Sequence, residues 1–256
     1  MLFDFDGTIS LLREGWQSIM EPMMIDAICA SSEPRPEIVQ RVRDYIEEST
    51  GIQTIAQMES LARMVRDFGR VPEAEILDAQ AYKKIYNDLL MVPVQARLDR
   101  LASGELSLDD ATVAGSRDFV EAVARTGATL YIFSGTNRDD VRHEANLLQV
   151  DRHFSQIWGA LRTMAEYSKE KVLRELIARE NLKGPEVLII GDGPVEIQNA
   201  KRFGCVSIGV ASDEVQGYGL DENKRERLIK AGANMIIPDF REGSALCDYL
   251  FRNDGS

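Results

Sequence analysis

The chain has 256 residues, with 30 Lys and Arg against 42 Asp and Glu, a formal net charge of −12 and 44% hydrophobic residues. That length supports a sizeable core, either one large domain or a principal domain carrying an insertion, and excludes a miniprotein that depends on staples. The acidic field disfavours a general binder of nucleic-acid backbone, though it leaves room for a local basic pocket.

Cys29, Cys205 and Cys247 are widely separated and form no self-contained disulfide framework, so reduced thiols in an intracellular compartment are expected. No basic region followed by an apolar stretch opens the chain, and no 18-residue apolar run occurs, which predicts a soluble cytoplasmic protein without membrane contact. A core strand starting at Met1 is compatible with a natural start and equally with a longer polypeptide bearing a fused partner domain.

The opening MLFDFDGTIS reads as a buried strand ending where Gly7 and Thr8 permit a tight reversal. From about Glu14 to Leu108 the periodicity is helical. Trp16, Ile19, Met20, Met23 and Met24 share one face, with an interruption expected near Pro22, and further runs follow at 36–48, 53–67 and 74–91. Connections around Pro34 and Pro36, Pro72 and Pro93 are expected to separate these helices.

From Gly115 the pattern changes. SRDFVEAVARTG predicts a helix ending at Gly127, followed by the strand ATLYIF, a polar turn SGTN and a helix around Asp139 to Gln149. QIWGA, a helix near Ser168, EVLII with the turn GDGP, a helix from Glu196, CVSIGV, an exposed charged helix around Lys224 to Ala231, NMIIP and a terminal helix complete the chain. Such alternation predicts an α/β fold, a Rossmann-like parallel sheet core with a helical cap inserted after the first strand. The expected division is 1–12 with 109–256 as core and 13–108 as cap.

In an open parallel sheet the crevice beyond the strand C-termini gathers residues distant in sequence. Asp4, Asp6, Ser134 and Asp192 all fall at such strand ends, and a lysine from a neighbouring helix would complete a cation and phosphate site. His143 and His153 lack a zinc-like ligand pattern, and no cysteine has a triad-like context.

DFDGT at 4–8, FSGTN at 133–137, Lys169 and IGDGPVE at 190–196 together resemble the haloacid dehalogenase-like hydrolases, specifically their phosphatases with an inserted helical cap. The resemblance spans essentially the whole chain and implies Mg²⁺-dependent hydrolysis of a small phosphomonoester, a sugar or polyol phosphate ahead of a nucleotide, through a phosphoaspartate. It assigns Asp4 as nucleophile and Asp6 as the acid that protonates the leaving alcohol and then activates water. Ser134 with the Gly135 amide would hold phosphate oxygens, and Lys169 would neutralise charge, with Lys171 as the competing position. For the metal it implies side-chain oxygens of Asp4 and Asp192 and the backbone carbonyl of Asp6, an oxygen set suited to Mg²⁺.

Glu196 stands where many relatives carry Asp; it is read as a water-mediated ligand, a contact behind the ligands or a helix-start carboxylate. Arg13, Glu14, Trp16, Gln17 and Met20, at the start of the cap, are the nearest candidates for substrate discrimination, and Trp16 is the one taken forward as substrate-binding. The implied partner is a small phosphorylated metabolite, not nucleic acid or a membrane. Two alternatives stay open: a sugar-phosphate mutase of the β-phosphoglucomutase type, which shares the same Asp chemistry, and a non-catalytic module that binds a phosphorylated metabolite.

Overall fold

The computed structural model describes residues 1–30, 32–160 and 167–252. Strands β1 (Leu2–Phe3), β2 (Tyr131–Asn137), β3 (Gln156–Ala160), β4 (Leu188–Gly191), β5 (Val206–Val210) and β6 (Met235–Ile237) form one sheet in the order β3-β2-β1-β4-β5-β6. Every pairing is parallel. The order reverses between β1 and β4, and at such a switch point the connections leave in opposite directions and open a crevice. β1 is short, yet both its residues are buried and face opposite sides of the sheet. Leu2 joins Tyr131, Phe133 and Ile189 on one side, and Phe3 joins Phe119, Ile132 and Phe154 on the other.

Helices cover both faces. α7 (Lys169–Arg179) and α8 (Pro194–Phe203) cover the Leu2 side through Leu173, Leu176 and Ala200. α5 (Ser116–Arg125) and α6 (Arg138–Leu147) cover the other through Phe119, Val123, Val141 and Ala145. α9 (Glu222–Ala231) packs on β5, and α10 (Gly243–Leu250) packs on α5. The parallel α/β core with its helical insertion is therefore the architecture expected from the sequence.

The insertion consists of α1 (Trp16–Cys29), α2 (Pro36–Glu48), α3 (Thr54–Phe68) and α4 (Ala79–Ser103). Three expectations fail here. α1 continues through Pro22, and α4 continues through Pro93 rather than breaking there. In α4 the buried residues Tyr82, Tyr86, Leu90, Val94 and Leu98 recur every fourth position across the proline. That unbroken apolar stripe, packed on α1 and α3, offsets the lost backbone hydrogen bond. The helix starts at Ala79 rather than near residue 74 because Asp78 caps it, its side chain accepting from the Ala81 amide at 2.8 Å. Among the described residues no helix is long and apolar enough to cross a membrane.

Two chain segments cross between insertion and core and pair through their backbones, the Leu11 amide donating to the Ala111 carbonyl at 2.9 Å and the Val113 amide to the Ile9 carbonyl at 3.0 Å, and a side chain reinforces them further out. Arg97 of α4 donates to the backbone carbonyls of Leu12 and Glu14 at 3.1 and 2.9 Å, and also to the Glu14 carboxylate.

Candidate active site

The first two strand ends of the switch point deliver the acids. The Asp4 amide donates to the Ile190 carbonyl at 2.8 Å, which continues the sheet register one residue past β1 and fixes Asp4 beside the end of β4. Asp192 follows β4 directly, and α8 begins two residues later at Pro194, a favoured first-turn residue. Lys169 starts α7, whose first turn is capped by Ser168 accepting from the Lys171 amide at 3.1 Å. That cap turns Lys169 inward, where it is buried, and leaves Lys171 exposed.

Lys169 Nζ lies 2.8 Å from Asp4 Oδ1 and also pairs with Glu196 Oε1. All three side chains are buried. Burial pushes the Asp4 carboxyl well above its usual range; the Lys169 ammonium opposes this, while Glu196 and Asp192 reinforce it. For Lys169, burial disfavours the ammonium, but Asp4 and Glu196 outweigh it and hold the lysine protonated. Asp4 and Glu196 share the one Lys169 ammonium, so at this contact carboxylates outnumber cations and an added positive charge is favourable.

A divalent cation fits that demand. Among the described residues no three or more His, Cys, Asp or Glu side chains form a group that could hold a metal by themselves. Asp4 and Asp192 both line the cavity, and their carboxylate oxygens suit a site completed by main-chain oxygen, water and substrate, the donor set of Mg²⁺. Glu196 Oε2 is buried without a hydrogen-bond partner, a second sign of unmet negative charge. The sequence left the task of Glu196 open; the structure gives it a direct partner in Lys169.

Asp6 occupies the opposite wall. Thr136 Oγ1 and Ser134 Oγ both donate to Asp6 Oδ2, at 2.8 and 3.3 Å, while Oδ1 has no hydrogen-bond partner. The Ser134 hydroxyl is thus turned to Asp6 and fully buried, whereas Gly135 and Thr136 line the cavity. The segment read as a polar turn, SGTN, is the end of β2, with a register shift between Phe133 and Asn137. Arg13 stands 3.8 Å from Asp6 Oδ1 and is held by Glu144 of α6. Burial drives the Glu144 carboxyl up to about 7, against the pull of Arg13 and with reinforcement from Asp6 and Asp140.

Asp4, Asp6, Gly135, Thr136, Lys169 and Asp192 open onto one cavity of about 130 Å³. The inserted helices close its other side with Trp16, Gln57, Lys83, Tyr86 and Asn87, and the loop between α2 and α3 contributes Thr50, Gly51 and Ile52. That loop rests directly on the core. A Cβ on Gly135 would lie 2.7 Å from the Ile52 carbonyl, and one on Gly51, at φ +95°, would lie 2.5 Å from Glu196 Oε1. Only glycine permits either approach. A space this small, below the roughly 300–1,000 Å³ of clefts for drug-sized ligands, suits a small occupant.

A doubly wound parallel core whose switch point gathers carboxylates and a buried lysine beneath helices inserted after the first strand defines a capped α/β protein with an acidic, cation-seeking cleft. The model of the haloacid dehalogenase-like hydrolase family matches residues 1–210, and the chain belongs to that family. A 5'-nucleotidase from Pseudomonas aeruginosa is 31% identical over 111 residues, 43% of this chain and 48% of that protein, so the match spans about half of that relative. Among solved structures, a predicted phosphatase from Clostridium acetobutylicum shares the fold at a TM-score of 0.61 and 15% identity, covering 98% of this chain and 97% of the other. A β-phosphoglucomutase from Clostridium difficile does so at 0.61 and 12% identity, with 98% of each chain covered.

Several residues at the site escaped the sequence reading. Thr136 was within reach: it lies in the FSGTN motif two positions after Ser134, and its hydroxyl meets the same Asp6 oxygen. Glu144, Lys83, Tyr86 and Asn87 carried no such signal, since each reaches the site only through tertiary packing.

Proposed function

We propose that the protein hydrolyses a small phosphomonoester, a sugar or polyol phosphate, in a Mg²⁺-dependent reaction through a phosphoaspartate on Asp4. The observation that carries this reading is the pairing of a buried Asp4, 2.8 Å from the Lys169 ammonium, with a separately anchored Asp6 in the same small cavity. Asp4 attacks phosphorus while the bond from phosphorus to the leaving oxygen breaks, and Asp6, protonated, delivers its proton to that oxygen. Thr136 holds the Asp6 carboxyl in place through one of its oxygens. In the second half, ionised Asp6 takes a proton from water, which attacks the phosphoaspartate and restores Asp4. Lys169 offsets negative charge throughout and keeps the Asp4 carboxylate oriented.

Gly135 offers its amide to a phosphate oxygen, and the Ser134 hydroxyl exchanges its bond to Asp6 for one to phosphate. Mg²⁺ held by Asp4, Asp192 and the Asp6 carbonyl would screen the repulsion between the attacking carboxylate and the phosphate. The cap residues Trp16, Lys83 and Asn87 contact the leaving group, and a closed cap excludes a large macromolecular substrate. The two units are taken as 1–12 with 109–256 and 13–108.

Phosphate release should be followed over sugar phosphates, polyol phosphates and nucleoside monophosphates, the last because of the 5'-nucleotidase relative, with phosphosugar isomerisation monitored in parallel. Chelator-sensitive phosphate release, label trapped on Asp4 by rapid quench, and a fall of at least about 10³-fold in Asp4→Asn support the reading. Isomerisation without phosphate release, or wild-type turnover in Asp4→Asn, overturns it.

A further inference from the structure

Behind Asp192, on an element that supplies none of the family-motif residues, lies a second buried cation. Lys224, in the first turn of α9, is 4% exposed, and its Nζ lies 3.1 Å from Asp192 Oδ2 and 2.6 Å from Glu214 Oε1. Its backbone amide donates to Asp221, which caps the helix and sets the start of the turn. Gly7 completes the enclosure: a Cβ there would fall 2.3 Å from Asp192 Oδ2 and 3.0 Å from Glu214 Oε1. Asp192 Oδ2 is thus confined between the glycine of the DFDGT loop and the ammonium, and Glu214 holds the ammonium from its other side.

A buried lysine bridging a buried and a largely covered carboxylate costs desolvation and would be a poor choice for stability alone. Its position matters more than its energy. With Oδ2 committed to Lys224, Asp192 retains one oxygen, Oδ1, for a cation shared with Asp4. A carboxylate restricted to one oxygen suits a small octahedral ion, whereas Ca²⁺ accepts more ligands and readily takes both oxygens of a carboxylate.

We infer that Lys224, braced by Glu214, is a positioning residue that confines Asp192 to single-oxygen coordination and thereby makes the site selective for Mg²⁺ over Ca²⁺. The inference rests on the proposed metal-dependent reading of the cleft. It concerns residues behind the ligands, since Lys224 touches neither substrate nor reacting atoms.

Calorimetric titration of the full chain with Mg²⁺ and separately with Ca²⁺ tests it without reference to activity. The informative quantity is the ratio of the two dissociation constants. Both ions carry the same charge, so removing the ammonium alters their electrostatic attraction alike and leaves the ratio to report coordination. Lys224→Met should lower Kd(Ca)/Kd(Mg) by at least about tenfold, within the range produced by groups that orient metal ligands. The charge-conserving pair Glu214→Gln/Lys224→Met should do the same, and it decides the matter if the single variant does not fold. Parallel changes in both constants with an unchanged ratio, in variants whose melting shows a folded protein, overturn the inference while leaving the proposed function intact. A wild-type chain that binds neither ion removes the metal reading itself, and this inference with it.

Discussion

Arg13 donates from Nη2 at 2.6 Å and from Nε at 3.1 Å to a single oxygen of Glu144, so the first cap connection is tied to α6 inside the protein. Asp6 and Asp140 each lie 3.8 Å from the same guanidinium. Removing one partner of a buried pair leaves an uncompensated charge, at a cost of about 3–5 kcal/mol, while replacing both with apolar groups avoids that. Arg13→Met should be the more damaging single change because it strands several carboxylates, whereas Glu144→Met leaves Arg13 two acids to face. The double variant should be more stable than Arg13→Met. Urea unfolding of the four proteins checks the order, and simple additivity would contradict the coupling.

Thr136 should matter for rate more than for binding. Its hydroxyl donates at 2.8 Å to the Asp6 oxygen that Ser134 also reaches, and so anchors the orientation of that carboxyl. Thr136→Val keeps the shape and removes the donor. We expect kcat to fall by about 10- to 100-fold with KM nearly unchanged, since a misaligned acid weakens the transition state and not substrate association. A rise in KM at constant kcat would instead make Thr136 a binding residue.

Metal affinity should separate Asp192 from Glu196. Each gives one oxygen to a lysine, but Asp192 lines the cavity beside Asp4, whereas Glu196 is fully buried outside it. Asp192→Ala should abolish measurable Mg²⁺ heat. Glu196→Ala should weaken binding by about 10-fold, as expected for a group one contact behind a ligand. Equal losses in the two variants would make Glu196 a direct ligand.

Asp239 gives a pH prediction away from the cleft. Its carboxylate accepts from the Gly219 amide at 2.7 Å and from the Arg241 guanidinium and amide, joining the end of β6 to the loop after β5. Burial pushes this carboxyl up, but the Arg241 and backbone hydrogen bonds outweigh it and hold it below its ordinary value of 3.8. A depressed carboxyl contributes stability above its unfolded value and loses it as pH falls through the folded one. Asp239→Asn should therefore cost about 1–3 kcal/mol at pH 7, and the gap to wild type should close below pH 3.8. Thermal melts across pH 3 to 7 test this, and a gap that stays constant would refute it.

Much of this architecture is readable in one dimension because the site is built from strand ends. Asp4, Asp6 and Asp192 lie in short turns after apolar runs, and parallel alternation tells where such turns meet. The helical stretch was less transparent. Pro22 and Pro93 read as breaks because the local cost of proline is visible in a sequence, while the packing that overrides it is not. Lys224 shows the same limit with opposite sign: within a run of charges it looked solvent-facing, yet it is buried against Asp192 and Glu214. Pairs such as Arg13 with Glu144, 131 residues apart, leave no periodic trace at all.

The clasp that Arg97 makes on the carbonyls of Leu12 and Glu14 has a bearing on how such a protein can diversify. Two strands of chain that leave the catalytic half separately could each transmit any change made beyond them. Paired backbone to backbone at Leu11 with Ala111 and at Val113 with Ile9, and clasped again by the Arg97 guanidinium, they form a common neck, and what lies past the neck can be rewritten as a cassette. A graft replacing residues 15–96 with the corresponding segment of a relative would keep Arg97 and both of its carbonyl partners. New side chains over the cleft could then be acquired by exchanging helices wholesale, on condition that the incoming segment keeps a glycine where Gly51 meets Glu196.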